Sequence, residues 1–186
     1  MKTDKKYKLW TFQGIKVVEE LKNTGILEAK WEDYWEEGSF TKAYRWMANQ
    51  MSMRGINCTN APIWAWHSCK KYEHAPRLID ARCLLSDVAI ESGIQTIEFE
   101  CPAELALLCS YGWWNVMLHD NFIPKKEDPD IDRKTETLLF ETSRKKLRKY
   151  DDIQATLPYL KLEWVKDIRE LNLKPNDSTF DREEKV

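Results

Sequence analysis

Ile94-Gln95-Thr96-Ile97-Glu98-Phe99-Glu100-Cys101 alternates with a period of two. Ile97, Phe99 and Cys101 fall on one side and Thr96, Glu98 and Glu100 on the other, the pattern of a strand with one buried face. Pro62 to Ser68 (P-I-W-A-W-H-S) repeats it, with Trp64, Trp66 and Ser68 on one face and His67 directed the other way. Upstream, Lys8 to Gln13 (K-L-W-T-F-Q) reads as a first strand. Gly14 to Asn23 then sets Ile15, Val18 and Leu21 on one helical face, with Gly25 as the C-cap and Ile26-Leu27 as the return. Ser39 to Met53 is a second amphipathic helix along Phe40, Tyr44, Met47 and Met51. Downstream, Pro102 is expected to open a helix through Leu105 and Leu108, and Trp113 to Leu118 a short one. A solvent loop is expected over Pro124 to Thr135, then a helix over Glu136 to Lys149. Ile153 to Leu157 is a strand bounded by Pro158. Leu162 to Leu171 reads equally as strand or helix. Strands interleaved with helices, without a regular βαβ rhythm, give an α+β fold: one domain over 1–173, small mostly antiparallel sheets with amphipathic helices packed around them, and a polar tail over 174–186.

The chain has 186 residues, 42% hydrophobic and 32% charged, and a domain of that size buries roughly 70% of its unfolded surface without staples. Its 29 Lys and Arg against 31 Asp and Glu leave a net charge of -2. A wholesale electrostatic grip on nucleic acid or an anionic membrane is not expected, since it needs clustered excess cation. The most apolar run, Leu105 to Leu118, falls short of the roughly 18–20 residues that cross a bilayer. The five cysteines (Cys58, Cys69, Cys83, Cys101 and Cys109) are odd in number and lack a Cys-x-x-Cys pair, so reduced thiols and a cytoplasmic home are expected. His67, Cys69 and His74 have no second ligand pair at zinc spacing, and no metal is expected.

Nine tryptophans, seven tyrosines and six phenylalanines are the main compositional departure. Trp10, Trp46 and Trp114 sit in apolar patterns and read as core. Trp31 and Trp35 lie in the acidic stretch Glu28 to Glu37, where one is a lid or contact candidate. Trp64 and Trp66 can sandwich a flat ring or simply pack the sheet. No phosphate loop, nucleophile elbow or zinc-protease helix is present. His119-Asp120 is a neighbour pair whose side chains point apart. Glu98 and Glu100 stand about 7 Å apart on one strand face, where they can share acid–base work or hold a ribose hydroxyl. The solvent face of a strand looks the same. Arg144-Lys145-Lys146 with Arg148-Lys149 is the one basic cluster.

K-L-W-T-F-Q (8–13), G-I-L (25–27), A-Y-R-W-M-A-N-Q-M (43–51), P-I-W-A-W (62–66), I-E-F-E-C-P (97–102) and I-Q-A-T-L-P-Y-L-K-L-E-W-V (153–165) together resemble a bacterial family, domain of unknown function 3841. A second, weaker resemblance is to ADP-ribosyltransferase-like domains, especially the DNA-modifying toxin class. It aligns Leu9 to Gln13 with their first strand, Gly25 with their glycine turn, Pro62 to Ser68 with an aromatic strand and Ile153 to Leu157 with the late strand that brings a catalytic glutamate.

That second resemblance implies NAD as cofactor. Thr11 and Gln13 would contact ribose or amide, Trp64 and Trp66 would stack on nicotinamide, and Gln154 with Glu98 or Glu100 would position the acceptor. Two departures stand out. Thr11 occupies the place of a His or Arg, and Gln154 that of the glutamate, which it cannot replace as a base. Two other expectations remain open: a non-catalytic protein-interaction module using exposed aromatics, in phage–host conflict or stress, and a nucleic-acid binder using Trp64, Trp66 and the basic cluster.

Overall fold

The computed structural model describes residues 5–33, 39–70, 76, 85, 87–123, 130–149 and 151–171. Six strands form one sheet: β1 (Lys6–Gly14), β3 (Ile63–Ser68), β4 (Ile94–Pro102), β5 (Leu107–Ser110), β6 (Ile153–Leu157) and β8 (Val165–Glu170). Their order is β5-β6-β3-β1-β4-β8, and every neighbouring pair is antiparallel. β2 (Ile26–Leu27) and β7 (Leu160–Lys161) make a separate two-stranded antiparallel sheet. Among the described residues the helices are α1 (Ile15–Thr24), α2 (Ser39–Met53), α3 (Asp87–Glu91), α4 (Tyr111–Met117) and α5 (Arg133–Phe140), with short 3-10 and π turns between them. The fold is α+β, built on a mostly antiparallel sheet.

Alternation along the strands divides the core in two. Leu9, Ile97, Phe99, Ala65, Ala155 and Leu157 are buried on one face, where Val18 and Leu21 of α1 cover them. The small sheet closes this layer through Leu27 and Leu160. On the other face Cys109 packs with Ala43 and Met47 of α2, Trp114 and Met117 of α4 and Leu139 of α5. α1 ends where Gly25 turns left-handed at φ 78°, and its N–H donates to Leu21 O at 2.9 Å. A side chain at that φ would be strained, which is why glycine serves there. Cys58, Cys101 and Cys109 are buried, and burial pushes their thiols up to about 11, 12 and 12. They are protonated core fillers rather than nucleophiles.

Several expected boundaries move. The helix expected after Pro102 is a 3-10 turn, Ala103–Leu105, followed by strand β5, because Leu107 to Ser110 pair along β6. An apolar run fits both readings, and the available partner edge decides. The helix expected over 136–149 starts earlier and ends sooner. Asp132 caps it by accepting from Thr135 N at 2.9 Å. Past Phe140, Glu141 turns its carboxylate onto Ser143 N and Oγ at 3.1 and 2.6 Å and onto Lys146 at 2.5 Å. That side chain competes with continued helix, so the basic cluster 144–149 lies in turns. The last element is a strand, since β8 pairs with β4. Ser68 leaves the Trp64–Trp66 face: the register shifts after Trp66, so Trp66 faces Gln154 while Ser68 faces Ile153. His74, Cys83, Trp35, residues 124–129 of the expected loop and the tail 174–186 lie outside the described residues. Among the described residues no helix is long and apolar enough to cross a membrane.

Phe99 is fully buried between strand and helix layers. Phe99→Ala is expected to cost about 3–5 kcal/mol in urea unfolding, and a loss near zero would contradict this core assignment. His67 makes an edge contact with the Tyr7 ring, centroids 5.1 Å apart. Burial, aided by the Lys5 charge, lowers its imidazole from 6.5 to about 4. The unfolded chain therefore takes up this proton first as pH falls, so the contribution is whole above about 6.5 and is lost on acidification towards about 4. Unfolding midpoints measured across that window should drop, and the drop should shrink in His67→Gln.

Candidate functional site

β1 and β4 pair without interruption from Lys6 through Gly14. β1 and β3, by contrast, share one register pair, Trp10 with Trp66, and then part. Where the backbone ladder stops, a side chain takes over: Thr11 Oγ1 donates to Trp64 O at 2.9 Å, and Gln13 Nε2 donates to Thr11 Oγ1 at 2.8 Å. A cavity of about 850 Å³ lies at this parted seam. It takes in Thr11, Gln13 and Ala65 from one sheet face and Trp64, Trp66 and Gln154 from the other.

The rest of the wall comes from packed helices and one connection. Tyr111, Trp114 and Asn115 project at i, i+3 and i+4 from α4, a spacing that puts them on one helix face. The Asn115 amide is tied back, donating to Tyr111 O at 2.9 Å. Tyr44 and Phe40 come from α2, Val17 and Glu20 from α1, and Glu28 and Lys30 from the segment after β2. The rings form two groups. Trp64 lies 4.7 Å from Trp114 and 5.6 Å from Tyr44 between centroids, while Trp66 lies 5.0 Å from Tyr111. The two indoles of β3 thus turn to different neighbours instead of facing each other across a ring-sized slot.

Three buried polar atoms at this wall have no hydrogen-bond partner among the described residues: Trp64 Nε1, Trp66 Nε1 and Gln154 Oε1. Trp66 and Gln154 are 2% and 4% exposed. An unmet buried donor or acceptor costs about 1–3 kcal/mol, and native structures tolerate few of them. Trp10 shows the ordinary outcome, its Nε1 donating to Glu98 Oε2 at 2.9 Å.

Of the seven residues singled out by sequence, Thr11, Gln13, Trp64, Trp66 and Gln154 border this cavity, and Glu98 and Glu100 do not. Glu98 is bound by Lys8 at 2.6 Å and Arg169 at 3.5 Å as well as by Trp10. The Lys8 hydrogen bond, more than any other influence, holds its carboxyl below the usual range. Glu100 pairs with Lys166 at 3.4 Å. Both carboxylates belong to a charged ladder linking β1, β4 and β8. Thr11 has spent its single donor on Trp64 O, so it offers a ligand an acceptor at most. Trp31 does not border the cavity among its described lining; its Nε1 donates to Thr59 O at 2.9 Å and Arg45 stacks 4.4 Å over its ring.

Sequence reasoning missed Tyr111, Asn115, Glu20 and Glu28. Glu20 occupies the polar side of an amphipathic helix, which carries no signal for a site. Tyr111 and Asn115 were legible only as spacing within an apolar run.

The family model for a domain of unknown function, DUF3841, matches residues 8–166, a span that includes most of β1, all of β3 and β6, and every described residue of the cavity wall. The chain belongs to that family. No curated protein and no solved structure matches it. For this DUF3841 chain the cavity geometry therefore carries the functional argument.

The Thr11 bridge is testable apart from any ligand. Thr11→Val keeps the shape and leaves the Trp64 carbonyl without its donor, at an expected cost of about 1–3 kcal/mol. Thr11→Ser should recover most of it. Equal urea midpoints for the valine and serine variants would remove the hydroxyl from the account of the seam.

Proposed function

We propose that the cavity binds NAD and that the chain is an NAD-utilising, ADP-ribosyltransferase-like protein. The observation that carries this reading is the set of unmet polar atoms at an aromatic wall: Trp64 Nε1, Trp66 Nε1 and Gln154 Oε1. Two donors and an acceptor among indole and phenol rings suit a flat heteroaromatic amide, whose rings stack while its N–H and C=O groups satisfy the wall. A volume of about 850 Å³ is within the range of cofactor pockets. The strands that the resemblance singles out as first, aromatic and late are β1, β3 and β6, which are neighbours in the sheet and all contribute to the cavity.

Glycosyl transfer from NAD breaks the bond between nicotinamide and ribose through a cation-like sugar. It depends on a well-held leaving group and nearby negative charge more than on a strong nucleophile. In this reading the indoles hold the nicotinamide and Gln154 orients it. Gln154 remains neutral and takes no proton. Among the described residues the carboxylates bordering the cavity are Glu20 and Glu28, and in this reading these, rather than Glu98 or Glu100, lie nearest the sugar.

The interaction-module reading draws less support. Among the described tryptophans none is exposed, and Phe40 is the one aromatic among the large exposed apolar side chains. Among the described residues a phosphate-led nucleic-acid mode has the turn-borne cluster at 144–149, part of which is engaged by Glu141.

Calorimetric titration of the intact protein with NAD, followed by mass spectrometry for released nicotinamide, tests the proposal. Saturable binding is expected, weakened at least tenfold in Trp64→Ala and in Gln154→Ala. Absence of both heat and nicotinamide at millimolar NAD would overturn it.

A further inference from the structure

Charge around the cavity is lopsided. Of the described residues that line it, Glu20, Glu28 and Lys30 carry formal charge, two carboxylates against one ammonium. Among the described residues a dianionic pyrophosphate finds a single cation there. A positively charged ring finds carboxylates at the rim and indoles at the wall, and an indole face attracts a cation through its quadrupole.

The distribution of lysines and arginines over the tryptophans points the same way. Outside the cavity, Lys8 sits 5.4 Å from the Trp10 ring centre, Arg45 4.4 Å from Trp31 and Lys161 5.9 Å from Trp164. Within it, Trp64, Trp66 and Trp114 carry no such cation among the described residues, and Trp64 and Trp114 pack against each other with centroids 4.7 Å apart. Gln154, 4% exposed, adds a carbonyl oxygen that still lacks a donor.

We infer that the cavity selects its ligand by positive charge, taking an N-substituted pyridinium carboxamide in preference to the neutral ring of the same shape. Trp64, Trp66 and Trp114 supply the π surface, Glu20 and Glu28 the compensating charge, and Gln154 Oε1 accepts from the carboxamide N–H. This deepens the NAD reading and rests on the same cavity being the ligand site. It names the part of the ligand that is recognised and leaves the pyrophosphate a minor contributor.

1-Methylnicotinamide and nicotinamide have the same ring and amide and differ in charge, so they isolate the effect. Both are titrated into the intact protein at fixed ionic strength, with tryptophan fluorescence as readout and NAD as a third probe. The cation is expected to bind at least tenfold more tightly than the neutral ring. That preference should fall several-fold in the double variant Glu20→Gln/Glu28→Gln, whose exposed positions leave the urea midpoint unchanged. Equal affinities, or tighter binding of nicotinamide, would overturn the inference while leaving NAD binding to be read from the third probe. Preference for 1-methylnicotinamide without NAD binding would uphold charge selection and overturn the NAD reading. No response to any of the three overturns both. A preference that survives the double variant unchanged would overturn the part given to Glu20 and Glu28.

Discussion

A hydroxyl and a carbonyl hold the centre of this sheet. Thr11 Oγ1 donates to Trp64 O where the β1–β3 ladder has already stopped after Trp10 and Trp66. Antiparallel strands ordinarily exchange backbone bonds along their length, and β1 does so with β4 on its other side. The side-chain bond keeps the strands adjacent without closing them. Parting at that seam lets one cavity reach residues from both faces of the sheet.

Two sets of polar groups are sorted by this arrangement. On the β4–β8 side, carboxylates meet cations: Glu98 with Lys8 and Arg169, Glu100 with Lys166, Asp167 with Arg169. Those partly exposed pairs line up strands and contribute little each. On the β3–β6 side the polar atoms are neutral, buried and unmet. The first set is complete within the chain, whereas the second finds no partner among the described residues. Burial makes the difference, because a surface carboxylate always has water and Gln154 Oε1 does not.

The same contrast explains which candidates could be read from residue order. Glu98 and Glu100 form an attractive carboxylate pair on paper, but a strand with one wet face produces such a pair for solubility and cross-strand pairing alone. Trp64 and Trp66 were legible as a same-face pair because alternation is local. That they diverge, one to Trp114 and Tyr44 and the other to Tyr111, depended on where α2 and α4 dock. Tyr111 and Asn115 entered the wall because β5 and α4 divide an apolar stretch whose first part reads as helix until a strand edge is available to pair with it.

Residue order by itself determined the alternating strands β1, β3, β4 and β6, the helix pair α1 and α2, and the glycine that ends α1. Each follows from periodicity or from a backbone angle, which are properties of a few consecutive residues. It also determined membership of a family whose match runs through all of these segments. Tertiary structure decided the end of α5, the strand nature of Leu107–Ser110 and Val165–Glu170, and the separation of Glu98 and Glu100 from the cavity. Those outcomes turn on which edge, cap or counter-charge lies within reach after folding. Residues 50 to 140 positions apart in the chain meet at the seam, and no local pattern encodes whether two strands pair along their length or part to leave a cavity between them.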